Sequence, residues 1–161
     1  MANLDLVQRL GAAEHWLAVV ATARPDGSVH ASVVNACILD DPVDGRPVIG
    51  LVAAGATRKL AHLRQSHRAT VVFRSRWEWV AVDGPARIAG PDDPLEGIPP
   101  ETISGLLRAV FRGVGGTDDA WDEWERVMAT ERWAAVLIEP ARITTQGPFV
   151  PLGAGASSPR A

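Results

Sequence analysis

The stretch ATRKLAHLRQSHR, residues 56–68, gathers Arg58, Lys59, Arg64 and Arg68 in a chain of 161 residues whose formal net charge is -3. Gly55 permits a tight exit from the apolar run before it, and Thr57 suits the N-cap of a helix reaching about Gln65. Arg58 and Lys59 then occupy the first turn, where the positive end of the helix dipole disfavours each cation by roughly a few tenths of a kcal/mol. A bound anion would reverse that sign. Free backbone N–H groups at the same helix end donate naturally to phosphate, so dipole, amides and two cations would converge on one anion. The chemistry offered by this pattern is a phosphate clamp. A plainer reading is a solvated helix face with Leu60 and Leu63 turned inward, and the residues alone leave both open. Arg64 and Arg68 lie farther along, where cations are favourable for ordinary reasons, and are not assigned to the clamp.

Other patterns carry less. Trp77 and Trp79 flank Glu78, which places both indoles on one face of a strand. His62 and His67 are five apart, a spacing that does not bring two imidazoles onto one helix face, and no H-E-x-x-H pattern is present, so no metal site is expected. Cys37 is the only cysteine. It excludes an internal disulfide and a cysteine-built zinc site and reads as a small buried hydrophobe. No G-x-S-x-G elbow or other readable triad occurs. The GVGG stretch follows a helical segment rather than a strand and reads as an interhelical loop. Gly50 and Gly55 have P-loop spacing and Thr57 stands at the Ser or Thr position, but Ala56 stands where Lys is required. Trp121 and Trp124, three apart on a helix, most simply pack onto the rest of the fold, with Asp122, Glu123 and Glu125 on the solvated side.

The elements that must position these residues follow from pattern and punctuation. Leu4, Leu6, Val7 and Leu10 mark a first helix, and HWLAVVATA turns β-rich before the hairpin signal Pro25–Asp26–Gly27. VHASVVNACIL reads as a long strand and VIGLVAA as a third, joined by the loop DDPVDGRP. After the basic helix, ATVVFR and WEWVAVDGPARIAG form a hairpin whose turn lies near Ser75. PDDPLEGIPP is a Pro-rich loop, ETISGLLRAVF and DDAWDEWERVMATE are two helices, and Asp118 and Asp119 suit the second helix's amino terminus. WAAVLIEPARITT supplies a final strand with a Pro interruption. PLGAGASSPRA reads as a tail, so the expectation is a single domain over 1–150 with a flexible tail over 151–161. Many strands joined by tight turns, without regular strand–helix alternation, argue for a mainly β, antiparallel barrel with peripheral helices.

Composition bounds the rest. Hydrophobic residues make up 47% and charged residues 22%, enough apolar content for one core in a soluble domain. The amino terminus carries Asp5 and Arg9 among short apolar runs and offers neither a signal-peptide core nor a membrane span, so a cytoplasmic protein is expected. Mild acidity with one local basic cluster argues against a nucleic-acid partner and for a small anionic ligand.

RKLAHLRQSHRATVVF followed by WEWVAVDGPARI resembles the helix–strand–hairpin segment of the pyridoxamine-phosphate-oxidase-like split β-barrel flavoproteins. VVATARPDGSVHASVV resembles that family's first hairpin, and WDEWERVMATERWAAVLIEPARI its carboxyl-terminal part. The closer likeness is to the actinobacterial flavin/deazaflavin oxidoreductases, in the branch that uses the deazaflavin coenzyme F-420. The resemblance implies an FMN-binding-like split β-barrel and a homodimer with two cofactor sites at the subunit interface. It places the phosphate-binding lysine at Lys59. Members often carry an arginine two positions earlier; Thr57 stands there, so Arg58 or the Thr57 hydroxyl must substitute. The strand lining the ring system falls on His30, Val33 and Asn35, with Val52 and Ala54 facing them from the next strand. Trp77 and Trp79 are implied contributors to a cofactor or substrate pocket across the interface, against the plainer alternative of dimer or core packing. The implied reaction is hydride transfer from C5 of the reduced coenzyme to a small unsaturated or conjugated acceptor. No protein nucleophile is expected, and no catalytic residue is assigned: a proton could come from solvent, Asn35, His30 or a backbone amide. The same barrel loaded with FMN, or a non-catalytic flavin- or haem-binding protein, are the alternatives.

Overall fold

In a computed structural model, residues 3–146 are described. Helix α1 (Asp5–Ala13) leads into strands β1 (Leu17–Ala23), β2 (Val29–Asp40) and β3 (Pro47–Ala53). Helix α2 (Arg58–Ser66) is followed by β4 (Arg68–Ser75) and β5 (Glu78–Ala89), then by α3 (Ile103–Gly113), α4 (Trp121–Thr130), β6 (Ala134–Ile138) and β7 (Arg142–Thr145). The strands run in the order β4-β1-β2-β3-β6-β5-β7, every pairing is antiparallel, and a β4–β5 pairing closes six of them into a barrel. This is the antiparallel barrel with peripheral helices that the turn pattern predicted.

Two long strands divide their partners. β2 pairs with β1 over Val29–Asn35 and with β3 over Ala36–Asp40. β5 pairs with β4 over Glu78–Pro85 and with β6 over Ala86–Ala89. The Pro interruption is also observed, because β6 and β7 continue along one edge of β5 with Glu139–Ala141 between them. Gly84 faces that break: a Cβ there would lie 1.8 Å from the Glu139 carbonyl oxygen, so the approach tolerates only glycine.

Alternation sends Val20, Val71, Phe73, Val80 and Val82 into the barrel, where Val7 and Leu10 of α1 and Leu60 and Leu63 of α2 join one core. Outside the barrel wall, α3 and α4 pack a second core of Leu106, Leu107, Trp121 and Met128 onto Val48, Ala135 and Leu137. β6 belongs to both, with every residue buried. Its near-continuous apolar run is what burial on two faces requires.

Two local expectations are corrected. Trp77 lies in the β4–β5 turn rather than on a strand, with Arg76 at φ 53°, so it shares no strand face with Trp79. Asp118 and Asp119 form a single 3-10 turn before α4, and Asp118 accepts from Arg112 and Arg108. The tail expected over 151–161 lies outside the described residues. No helix among the described residues is long and apolar enough to cross a membrane.

Candidate functional site

α2 begins where expected, with Thr57 in extended conformation at its N-cap position (φ -71°, ψ 146°). The Thr57 hydroxyl does not cap the helix: it donates to the Ala54 carbonyl at 2.9 Å. Among the described residues, the first-turn N–H groups therefore have no side-chain cap, and the first turn holds no acidic residue. Arg64 and Arg68 are committed elsewhere, Arg64 to Asp93 through two bonds of 2.8 Å and Arg68 to Asp83 at 3.3 Å. Lys59 has no carboxylate within ion-pair distance among the described residues, and partial burial holds its pKa below the ordinary lysine value. A partly desolvated cation without a counter-charge is unfavourable, and a bound anion would relieve it.

Lys59 lines a cavity of about 620 Å3, within the ~300–1,000 Å3 range typical of ligand pockets. Thr57, Asn35, Val33, Val52 and Ala54 line it too, so six of the ten residues singled out in the sequence meet at one place. Among the described residues, no acidic one lines it. Asn35 is oriented by donating from Nδ2 to the His15 carbonyl at 3.0 Å.

The other four are elsewhere. His30 has the opposite strand parity to Val33 and Asn35, so alternation turns it away from them and against α2, with its ring centroid 5.3 Å from that of His62. The pKa of His30 is held below the ordinary histidine value, chiefly by burial of the ring and then by the nearby positive charge of Arg24, with His62, Lys59 and Arg58 adding to it. Arg58 is exposed and, like Trp77 and Trp79, does not line the cavity formed by its own chain.

The far wall comes from residues that the sequence did not point to. Val110 and Phe111 of α3, Val114, Gly115 and Gly116 of the following loop, Trp124 and Met128 of α4, and Trp133 complete it. The GVGG loop is thus an interhelical connection that also walls the site. Gly115 takes φ 97°, and a Cβ on Gly116 would meet the Phe111 ring at 2.5 Å. Trp121 is buried as expected, whereas Trp124 remains 42% exposed at the cavity. Gly55 joins the two walls: its N–H donates to the Glu131 carbonyl at 3.0 Å, and a Cβ there would lie 2.7 Å from the Arg132 carbonyl oxygen. Its role is close approach of two backbones, where the sequence suggested only a tight exit.

Cys37 is buried, with its thiol pushed up to about 12 by desolvation, which suits packing and not nucleophilic chemistry. Among the described residues, no group of three or more His, Cys, Asp or Glu side chains is placed to hold a metal ion.

A six-stranded antiparallel barrel with peripheral helices defines a split-barrel type of fold. The chain belongs to the pyridoxamine 5'-phosphate oxidase family, whose model matches residues 8–100. Among solved structures, a conserved hypothetical protein from Mycobacterium tuberculosis is similar at TM-score 0.64 and 19% identity, covering 98% of this chain and 95% of that one. A pyridoxamine 5'-phosphate oxidase-related, FMN-binding protein from Nostoc punctiforme gives 0.63 and 12%, covering 90% and 84%. HutZ, the haem storage protein of Vibrio cholerae, gives 0.56 and 10%, covering 89% and 94%. At these identities the likeness is one of fold.

Proposed function

We propose that this chain is an oxidoreductase that binds coenzyme F-420 and reduces a small unsaturated or conjugated organic acceptor. The observation carrying this reading is Lys59, a partly buried ammonium without a carboxylate partner, lining an otherwise largely apolar cavity beside the uncapped start of α2. Lys59 and the first-turn amides would hold the coenzyme's phosphate, with Arg58 adding charge from outside. Val33, Val52, Ala54, Trp124 and Trp133 would flank the ring system and exclude water. Asn35, with Nδ2 committed to His15, has its Oδ1 left to accept a hydrogen bond from the ring or the acceptor. Bound there, the coenzyme would supply the hydride chemistry, and the chain's task is orientation and desolvation.

The same reading takes the working form to be a homodimer. On the outer face of the β1–β2 ladder, Val19 pairs in register with Val33, and Leu17, Val19, Val29 and Val33 are 49%, 38%, 62% and 66% exposed. An apolar sheet face of this kind favours a protein partner. Val33 also lines the cavity, so a second copy on this face would close the site, and the partner's Trp77 and Trp79 are the proposed contributors from across the interface.

FMN is the second reading, favoured by the shared fold of an FMN-binding protein and by the inability of a phosphate clamp to tell a phosphate from a phosphodiester. The test is the visible spectrum of the protein as isolated, then fluorescence titration with F-420 and with FMN, for the native chain and Lys59→Ala. Saturable F-420 binding that weakens in the variant supports the reductase. Preference for FMN moves the chain to the flavin reading, a haem absorption band in the isolated protein moves it to haem binding, and binding of neither flavin returns α2 to a solvated helix.

A further inference from the structure

A second cavity, of about 580 Å3, lies on the other side of Met128 and Trp133, which line both. Its floor is α3 and α4, including Leu107 and Trp121, and its outer wall is the Pro-rich loop, including Leu95 and Ile98. The loop is pinned. Arg64 holds Asp93 from α2, Arg132 pairs with Asp92, and β-bridges join Gly90 to Asp93 and Leu95 to Ile98. Ile98 is only 5% exposed, which anchors the loop in the second core.

The two cavities carry opposite charge. Among the described residues, Lys59 lines the first and no carboxylate does, whereas Glu96 and Glu125 line the second and no Lys, Arg or His does. Ser104 donates to Glu125 Oε1 at 2.6 Å, which orients that carboxylate. Both carboxylates are exposed to solvent where they line this largely apolar chamber, and their charge repels an anion. They select a hydrogen-bond donor or a cation attached to an apolar body.

We infer that this second cavity is a binding site for a small aromatic or alicyclic amine, in which Glu96 and Glu125 receive the amine and the Trp121–Met128–Trp133 wall receives the apolar body. The site does not depend on the proposed coenzyme, and none of its tests needs one.

The experiment uses N-phenyl-1-naphthylamine as a neutral fluorescent probe, titrated into the purified chain with emission excited through tryptophan. 1-Naphthylmethylamine and 1-naphthoate, which share an apolar body and differ in charge, then compete for it. The expected results are saturable probe binding, displacement by the amine at least tenfold more effective than by the carboxylate, and loss of that ratio in Glu96→Gln/Glu125→Gln. Ala129→Trp, placed at an exposed position that lines this cavity, is expected to abolish probe binding with an unchanged thermal midpoint. Val33→Trp, in the first cavity, is expected to leave binding intact. Absence of saturable binding, equal displacement by the two competitors, or loss in Val33→Trp with retention in Ala129→Trp would each overturn the assignment.

Discussion

The barrel and the helical cap solve the same problem, covering apolar residues, in different ways. Inside the barrel, side chains from closed ladders interdigitate, and among the described residues Phe73 is the one aromatic that is fully buried there. The cap is built from two short helices and a Pro-rich loop laid on a curved sheet, with large rings at Phe111, Trp121, Trp124 and Trp133. Rings of that size on so few elements leave concave space between them, and both cavities lie there. The barrel supplies fixed positions, and the cap supplies room. Residues in the first region should govern stability and those in the second should govern binding.

The sharpest way to break this division is Phe73→Ala. Truncating a fully buried aromatic in the barrel is expected to cost about 3–5 kcal/mol, read as a lower urea midpoint. A loss below about 1 kcal/mol would show that the barrel core adapts like the cap. Next in size is Lys59→Met, which removes one charge-assisted contact and is expected to weaken F-420 or FMN binding by roughly ten- to a hundredfold. Its thermal midpoint should stay level or rise, because a partly desolvated cation is removed. Trp124→Ala, on the cap at 42% exposure, should change stability by less than about 1 kcal/mol while still weakening cofactor binding. If the unfolding midpoint moved more than the affinity, the division would fail at the cap.

The smallest effect concerns pH. The pKa of His30 is depressed in the folded chain, so between that value and the ordinary ~6.5 the unfolded chain takes up the proton first. Its contribution is complete above about pH 6.5 and is lost as pH falls toward the native value. Urea midpoints of His30→Gln between pH 7.5 and 5 should fall less than those of the native chain; parallel curves would rule out the effect.

The barrel was legible because its signals are local. VHASVVNACIL and VIGLVAA declare strands, Gly27 at φ 84° marks the first hairpin turn, and Pro140 marks the break before β7. Trp77 was misplaced because the Arg76–Trp77 turn contains no Gly, Asn, Asp or Pro, and Arg76 adopts positive φ without a residue that advertises it. The separation of His30 from Val33 and Asn35 was legible too, since strand parity alone turns it to the opposite face. The near wall of the candidate site was found because Thr57, Lys59, Val52 and Ala54 are close in sequence. The far wall was not, because Phe111, Trp124 and Trp133 reach the cavity only through packing of α3 and α4 on β2, β3 and β6. Nothing in GVGG announces that its last three residues line a pocket.

Burial of β6 on both faces has a consequence for the order in which the molecule can assemble. β1, β2 and β3 are successive hairpin neighbours, and so are β4 and β5, so these pairings can form as soon as each segment exists. β6 instead joins β3, more than 80 positions back, to β5, and until it arrives both strands present unpaired edges. On a ribosome, the cylinder therefore waits for the chain through Ile138 to emerge. Nascent chains arrested short of that point would be the species most in need of a chaperone.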